Sequence, residues 1–167
     1  MIIHDDALNS LHDMDGDSIQ LTCTSPPYYN AKAYAQWANY DLYLRFLEDI
    51  FREVFRVTEQ GRMCAVNLSP VIQSRESRAH ESKRLAIPFH FFSIMERLGW
   101  QYIDDIIWDK GEVQSSRHKN KSKPWPFYQY SCNCYEHILI FSKHRLEKDI
   151  RYPCSDCGSL NVGTNSY

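Results

Sequence analysis

Apolar positions recur at two different spacings along the chain. Runs that alternate or are continuously apolar predict β-strands, at residues 18–23, 62–68, 100–108 and 135–143. Apolar residues three and four apart predict two amphipathic helices, one from the N-cap Asp41 to a stop at Gly61 and one from Pro88 to Gly99. The polar and charged residues 69–84 predict a loop. This alternation of strands and helices favours an α/β sheet with right-handed crossovers.

The first strand runs into the heptapeptide Thr24-Ser25-Pro26-Pro27-Tyr28-Tyr29-Asn30. Two consecutive prolines fix two backbone φ angles and remove two N–H donors, but they keep their carbonyl acceptors. The residue before each proline is held extended, so the segment cannot begin a helix. The result is a stiff corner that presents acceptor oxygens, a hydroxyl and an aromatic ring. Such a corner suits holding a flat heterocycle that carries an amino group.

Thr-Ser-Pro-Pro-Tyr resembles the catalytic motif of DNA methyltransferases that methylate exocyclic amines, in its Ser-Pro-Pro-Tyr form. Two later segments resemble the same family in the same order: a strand that ends in Trp108-Asp109-Lys110, and a strand that runs from His137 through Phe141-Ser142-Lys143. We interpret residues 1–145 as the catalytic half of a methyltransferase domain and residues 146–167 as a tail. The resemblance implies an incomplete Rossmann-like α/β sheet of the S-adenosylmethionine-dependent type, with helices on both faces and a final antiparallel strand pair.

The resemblance also implies a role for each residue of the corner. Ser25 and the carbonyl of Pro26 would accept hydrogen bonds from the target amine, and Pro27 would help to fix the corner. Tyr28 would stack on a base rotated out of the DNA duplex. The methyl group would come from S-adenosylmethionine. Because Ser25 stands where an acidic or amide residue is commoner for adenine, the amine N4 of cytosine is favoured over N6 of adenine.

The glycine-rich turn with which the resembling enzymes bind the cofactor has no counterpart in this sequence. None of the 6 glycines stands in a Gly-x-Gly arrangement after a strand. In one subgroup of the family the catalytic motif precedes the cofactor motif, so we interpret the chain as truncated before it. Asp6 and Thr24 are the remaining cofactor-binding candidates, although Asp6 suits a helix cap equally well. Without the missing half, the strand before Ser25 becomes an edge, and we expect self-association or a complementing chain that carries the glycine motif.

A basic loop, residues 111–131, is the candidate DNA-binding segment. The formal net charge is -2, so any attraction to DNA has to come from a local patch. Basic residues followed by an aromatic residue suit phosphate contact and stacking, and the alternative is a solvated loop. The candidate contacts are Arg117, Lys119, Lys121, Lys123 and Trp125.

The 6 cysteines need not form disulfides, because no apolar stretch approaches a membrane span and no secretory signal opens the sequence. We therefore expect a cytoplasmic protein with reduced thiols and no membrane partner. Cys154 and Cys157 have the spacing of half a zinc-ribbon knuckle, which makes zinc a candidate second cofactor. The other two ligands are not obvious, so two thiols in a tail is the alternative.

Three functions are compatible with these patterns. The favoured one is a site-specific DNA methyltransferase of the restriction-modification kind. The alternatives are a non-catalytic nucleic-acid-binding remnant of the same fold and a small zinc-containing interaction module. Asn67, at the end of the second strand, is interpreted as a strand exit rather than as part of the pocket.

Overall fold

The computed structural model describes residues 2–30, 32–73, 82–111 and 134–143. Three helices and six strands lie in these ranges, and the second helix passes directly into a strand. The elements are α1 Ala7–His12, β1 Ile19–Thr24, α2 Tyr40–Val57, β2 Thr58–Leu68, β3 Val71–Gln73, β4 Lys83–Leu85, α3 Ile87–Arg97, β5 Trp100–Asp109 and β6 Tyr135–Lys143.

The main sheet has four strands in the order β1-β2-β6-β5. β1 runs parallel to β2, whereas β6 is antiparallel to both of its neighbours, β2 and β5. The predicted α/β class and the antiparallel pairing of the last two strands are thereby confirmed. Among the described residues β1 pairs with one neighbour only, which makes it the edge strand that the sequence predicts.

The hydrophobic core lies between one face of this sheet and the two long helices. Cys64 pairs with Phe141 and Val66 pairs with Leu139, so these four side chains point to the same face. All four are buried. Phe91 of α3 packs against Phe141 with a ring-centroid distance of 6.2 Å, and the inward face of α2 belongs to the same core cluster.

The opposite face of the sheet carries large apolar side chains that are exposed. Their exposed fractions lie between 47% and 62%, and the residues are Leu21, Met63, Ile106 and Trp108. Among the described residues both long helices pack on the first face, so the helix layer expected on this second face is not seen. We call this surface the open face.

The N-cap of α2 and the start of β2 differ from the sequence-based prediction, whereas the end of the periodic helix at Val57 agrees with it. Asn39, not Asp41, is the N-cap, and its side chain accepts a hydrogen bond from the backbone N–H of Leu42 at 2.9 Å. Asp41 lies in the first turn, where its charge still favours the helix dipole. The helix also ends before Gly61, because the chain turns extended at Thr58 and continues as β2. Gly61 lies within β2 with a φ of 72°.

The loop predicted over residues 69–84 is wrong in part. β3 and β4 lie inside this stretch and pair as a short antiparallel ribbon. Each strand has only 3 residues, which are too few to show a periodic pattern in the sequence. The stop predicted at Gly99 is confirmed to within two residues, since α3 ends at Arg97. Within the described ranges, no helix combines the length and apolar character that crossing a bilayer requires.

Candidate active site

The proline corner follows the C-terminal end of β1, beside the matching end of the parallel strand β2. Thr24, the last residue of β1, pairs with Val66 of β2, and the chain then leaves the sheet at Ser25. Ser25 is exposed, the two prolines and Tyr28 are half-buried, and Tyr29 is buried. The corner therefore presents its serine outward while its second tyrosine anchors it in the core.

The segment after the corner is held by Asn30 and by an aromatic cluster. Asn30 has a φ of 47°, a left-handed conformation that asparagine tolerates. Its side chain accepts from the backbone N–H of Trp37 at 2.8 Å and donates to the Trp37 carbonyl at 3.2 Å. Tyr29 packs edge-on against Tyr40 at 5.3 Å, and Trp37 packs against Tyr43 at 4.8 Å. These contacts fix the backbone on the far side of the proline pair.

Asn67 joins the corner to β2 through its side-chain amide. Its oxygen Oδ1 lies 3.3 Å from the Ser25 hydroxyl and 3.3 Å from the Tyr28 hydroxyl. Its nitrogen Nδ2 donates to the carbonyl of His137 at 3.3 Å, so the orientation of the amide is set by the backbone of β6. Asn67 does lie at the end of β2, as predicted, and its side chain in addition contacts the corner. Strand pairing that the sequence does not reveal brings it to the corner.

An ion pair lies on the other side of the Tyr28 hydroxyl. That hydroxyl donates to Glu136 Oε2 at 3.0 Å, and Lys110 Nζ lies 2.6 Å from Glu136 Oε1. Glu136 is buried, with an exposed fraction of 7%. Lys110 is held in place where β5 and β6 meet, because its backbone N–H donates to the carbonyl of Cys134 at 2.8 Å. Neither Glu136 nor Lys110 was predicted as a site residue, although Lys110 belongs to the segment that resembles the family.

The protonation states follow from these contacts. Burial, assisted by the hydrogen bond to Glu136 and opposed by one to Ser25, raises the pKa of the Tyr28 hydroxyl to about 12. Burial would also raise the pKa of the Glu136 carboxyl, but hydrogen bonds from Lys110, Tyr28 and Asn67 outweigh it and lower that pKa. At neutral pH the site therefore holds a neutral phenol beside an ionised carboxylate.

Four strand ends thus converge on one place. β1 supplies the corner, β2 supplies Asn67, the end of β5 leads to Lys110, and the start of β6 supplies Glu136. Ligands of open α/β sheets bind beyond the C-terminal ends of parallel strands, which is where the corner and Asn67 lie. The arrangement offers hydroxyl, amide and carbonyl oxygens and one aromatic ring to a flat polar ligand.

The other residues singled out from the sequence have different outcomes. Asp6 is the N-cap of α1 and accepts from the backbone N–H of Leu8 at 2.9 Å, so a capping role is observed and a cofactor role stays a prediction. A cofactor role for the exposed Thr24 also stays a prediction. Several candidates lie outside the described residues: Arg117, Lys119, Lys121, Lys123, Trp125, Cys154 and Cys157.

Within the described residues no group of three or more His, Cys, Asp or Glu side chains could hold a metal ion. His137, which lies on β6, is instead paired with Asp105 through its ring nitrogen Nδ1 at 2.8 Å. Zinc therefore stays a prediction that rests on the tail cysteines alone.

Comparison with known proteins identifies relatives of the chain. A sequence profile described as DNA methylase, of the N6/N4 methyltransferases, matches residues 19–160. The Type II beta methyltransferase M.BslI of Bacillus sp. (strain NEB-606) is 35% identical over 145 residues, which are 85% of this chain and 16% of that protein. The Type II methyltransferase M.MwoI of Methanothermobacter wolfeii is 26% identical over 148 residues, or 85% of this chain and 20% of that protein.

Solved structures share the fold at low sequence identity. TTHA0409 from Thermus thermophilus, described as a DNA modification methylase and complexed with S-adenosyl-L-methionine, has a TM-score of 0.63 at 22% identity and matches 86% of this chain and 55% of its own. The cytosine-N4-specific PvuII DNA methyltransferase has a TM-score of 0.63 at 16% identity, over 83% of this chain and 47% of its own.

This chain thus spans a minor part of the two curated relatives and about half of the two structures. The fold is shared with S-adenosylmethionine-dependent methyltransferases, as the sequence predicted. The profile match covers well over half of the chain, from the start of β1 to beyond the end of β6. The chain belongs to the DNA methylase family of N6/N4 methyltransferases.

Proposed function

We propose that this chain forms the target-base half of a site-specific DNA methyltransferase that methylates an exocyclic amine, with N4 of cytosine favoured over N6 of adenine. The observation that carries the proposal is the corner itself. An exposed hydroxyl at Ser25 and a half-buried ring at Tyr28 stand side by side, on a backbone that prolines and packed aromatic residues hold rigid. Family membership supplies the reaction class, and Ser25 supplies the preference for cytosine.

Methylation of an exocyclic amine requires hydrogen-bond acceptors beside the N–H groups of that amine. An amine on an aromatic ring is a poor nucleophile, because its lone pair is delocalised into the ring. Ser25 Oγ and the Pro26 carbonyl oxygen would each accept a hydrogen bond from one N–H group of the amine. These bonds would localise the lone pair on the nitrogen. The ring of Tyr28 would stack on the extruded base. The nitrogen would attack the methyl carbon of S-adenosylmethionine, the bond between that carbon and the sulfonium sulfur would break, and S-adenosylhomocysteine would leave as a neutral thioether. The methylated nitrogen would then release one proton to water.

The described residues contain no glycine-rich turn of the kind that would bring the backbone against S-adenosylmethionine. The glycines with positive φ among them are Gly61, within β2, Gly99, between α3 and β5, and Gly111, after β5. No described glycine follows the C-terminal end of β1 or β2, where a backbone would have to approach the cofactor closely. We therefore propose that the cofactor-binding turn is supplied from outside the described residues.

The open face and the β1 edge are where that further part would pack. The exposed Leu21 on β1 lies beside the exposed Met63 on β2, because the two residues pair across the strands. An apolar face next to unpaired backbone groups favours association. We expect the isolated chain to self-associate at micromolar concentration in sedimentation velocity runs. A strictly monomeric, folded species would contradict this part of the proposal.

DNA contact is proposed for the basic segment that contains Arg117, Lys119, Lys121, Lys123 and Trp125. Its cations would neutralise phosphates and its indole would stack on a base or a sugar. In the sequence the segment lies between Lys110 and Glu136, which are both beside the corner.

The reaction is tested in a chimera in which this chain replaces the matching 145-residue stretch of M.BslI. The chimera is expressed in cells without DNA methylation of their own, and nucleoside mass spectrometry is run on their DNA. We expect N4-methylcytosine, and none from a chimera with Ser25→Ala and Tyr28→Ala. N6-methyladenine would overturn the base preference. No methylated base from a folded chimera that binds S-adenosylmethionine would overturn the proposed function.

A further inference from the structure

A tight turn shortly after the corner holds a tyrosine ring out in solvent. The turn spans residues 32–35, and we call it the tyrosine turn. Tyr34, at its tip, is 81% exposed, whereas the next most exposed aromatic side chain among the described residues, Phe89, is 63% exposed. Turns are dominated by small and polar residues, so the turn itself does not require an aromatic residue at this position. The exposure of the ring therefore indicates a task other than folding.

The tyrosine turn is held by its neighbours and not by the ring. The backbone N–H of Ala35 donates to the carbonyl of Lys32 at 3.0 Å, and the side chain of Gln36 donates to the same carbonyl at 2.6 Å. Ala35 is buried. Trp37 is bonded to the side chain of Asn30 through both its backbone N–H and its carbonyl. The tip of the turn is thus presented to solvent on a rigid base.

This base keeps the ring near the corner. Six residues of fully extended chain, the number from Tyr28 to Tyr34, span at most about 22 Å. The turn and the bonds between Asn30 and Trp37 make the actual separation shorter. One turn of a DNA duplex is about 34 Å long. Tyr34 would therefore lie within the same turn of the duplex as a base that stacks on Tyr28.

The charge of the tyrosine turn suits a DNA surface. Lys32 is exposed, and residues 32–40 contain no acidic side chain. A cation at this position attracts a phosphate, and no carboxylate of this stretch repels one. Extruding a base from a duplex leaves its neighbours unstacked, which costs free energy. An aromatic ring that stacks on these neighbours would offset that cost, whatever their sequence.

We propose that Tyr34 is a DNA wedge: when the target base is rotated to the corner, the tyrosine ring enters the duplex and stacks in the place that the base has left, while Lys32 contacts a neighbouring phosphate. The inference rests on the proposed function, because extrusion of the base is part of it. It goes further in naming the residue that fills the vacated position and in making the tyrosine turn a DNA-contacting surface.

The first test needs neither methylation nor knowledge of the target sequence. Binding of the chain is measured by fluorescence anisotropy at low salt, with a labelled duplex that has one central abasic site and with the same duplex intact. The ratio of the two dissociation constants reports how well a wedge fills a vacant position. We expect the parent chain to prefer the abasic duplex by roughly five- to a hundredfold, the range for one stacking contact. Tyr34→Ala should remove this preference, and Tyr34→Phe should keep it.

Two control variants show whether the preference belongs to this ring. Lys32→Ala should weaken binding to both duplexes by the same factor, because a phosphate contact does not depend on the missing base. Phe89→Ala removes an exposed ring on α3 and should leave the preference unchanged. A parent chain that binds both duplexes equally or binds neither would overturn the inference. A preference that survives in Tyr34→Ala, or that is lost equally in Phe89→Ala, would also overturn it.

The second test uses the methylating chimera in single-turnover reactions at its target site. Tyr34→Ala should slow methyl transfer to a paired target base and have a much smaller effect with a mispaired one, because a mispaired base is extruded at lower cost. A deficit of equal size with both substrates would refute the wedge. A parent chimera that does not methylate, together with an abasic-site preference that depends on Tyr34, would support the wedge and count against the proposed function only.

Discussion

Replacing Lys110, the cation that pairs with Glu136, gives the sharpest stability prediction. Lys110→Met keeps the length and apolar stem of the side chain but leaves Glu136 without its 2.6 Å partner. The Glu136 side chain is 10% exposed and that of Lys110 is 42% exposed, so the bond is stronger than a surface pair and weaker than a fully buried one. A charge-assisted hydrogen bond contributes less when solvent screens one of its partners, as it does here for the ammonium group of Lys110. We therefore expect Lys110→Met to lower the free energy of unfolding by about 1–2 kcal/mol at neutral pH.

The free energy of unfolding that is lost in Lys110→Met should decrease as the pH falls. The folded-state pKa of Glu136 lies below its ordinary value of 4.5. Its contribution to stability is therefore fully present above the unfolded-state pKa and disappears as the pH falls through the folded-state pKa. Below that point the carboxyl is protonated in both proteins and Lys110 no longer has an anion to pair with. The difference between parent and variant should shrink toward zero there.

Urea unfolding of the parent chain and of Lys110→Met, at pH 7 and at a pH low enough to protonate Glu136 in the folded parent, measures both effects. Arg62→Met is the control, because it breaks a more exposed pair with Glu59 at 3.2 Å and should cost only about 0–0.5 kcal/mol. A loss for Lys110→Met that is no larger than that of the control, or that is equally large at both pH values, would refute the reasoning.

Two further changes test the fold and the DNA contact. Gly99→Ala should cost about 1–3 kcal/mol of unfolding free energy in the same urea assay, because φ is 96° and the new Cβ would lie 3.3 Å from the ring of Phe55; unchanged stability would contradict the turn geometry. Replacing Lys119, Lys121 and Lys123 by serine should weaken duplex binding for all sequences and reduce the slope of log affinity against log salt by about 0.9 for each phosphate that is no longer neutralised. An unchanged slope would show that these lysines do not contact DNA phosphates.

The corner and the long elements could be predicted from the sequence, because their signals are local. Two adjacent prolines restrict the backbone wherever they occur, and α2 repeats its apolar face over 18 residues. β6 contains the continuous apolar run 138–141, and its position was also predicted correctly. In each case one segment alone carries enough information to specify its own conformation.

The surroundings of the corner could not be predicted, because they depend on strand pairing. Asn67 reaches Tyr28 across 39 residues of sequence, and Glu136 reaches it across 108. The local sequence does not distinguish a solvent-exposed glutamate at the start of a strand from one that accepts a hydrogen bond from a tyrosine hydroxyl. The N-cap of α2 could not be predicted for a similar reason. Asn39 and Asp41 are both good capping residues, and only the backbone conformation shows that Asn39 is the cap.

The helix layer on the open face marks a different limit. The resemblance implied helices on both faces, and the described residues cover one. Met63 is 47% exposed although its strand, β2, is paired on both sides, and a complete sheet of this type would cover such a position. The fold class was predicted correctly from the sequence, whereas the partner of this face is proposed from the structure.

The central claim is that Ser25 accepts the hydrogen bond of the target amine, and single-turnover methylation by the M.BslI chimera tests it most directly. Ser93→Ala is the matched control, since Ser93 is an exposed serine on α3 whose hydroxyl bonds the carbonyl of Phe89 at 3.3 Å. We expect Ser25→Ala to slow methyl transfer by about a hundredfold or more with DNA affinity retained, as for loss of one preorganised polar contact, and Ser93→Ala to match the parent. Methyl transfer by Ser25→Ala at the parental rate would contradict the account.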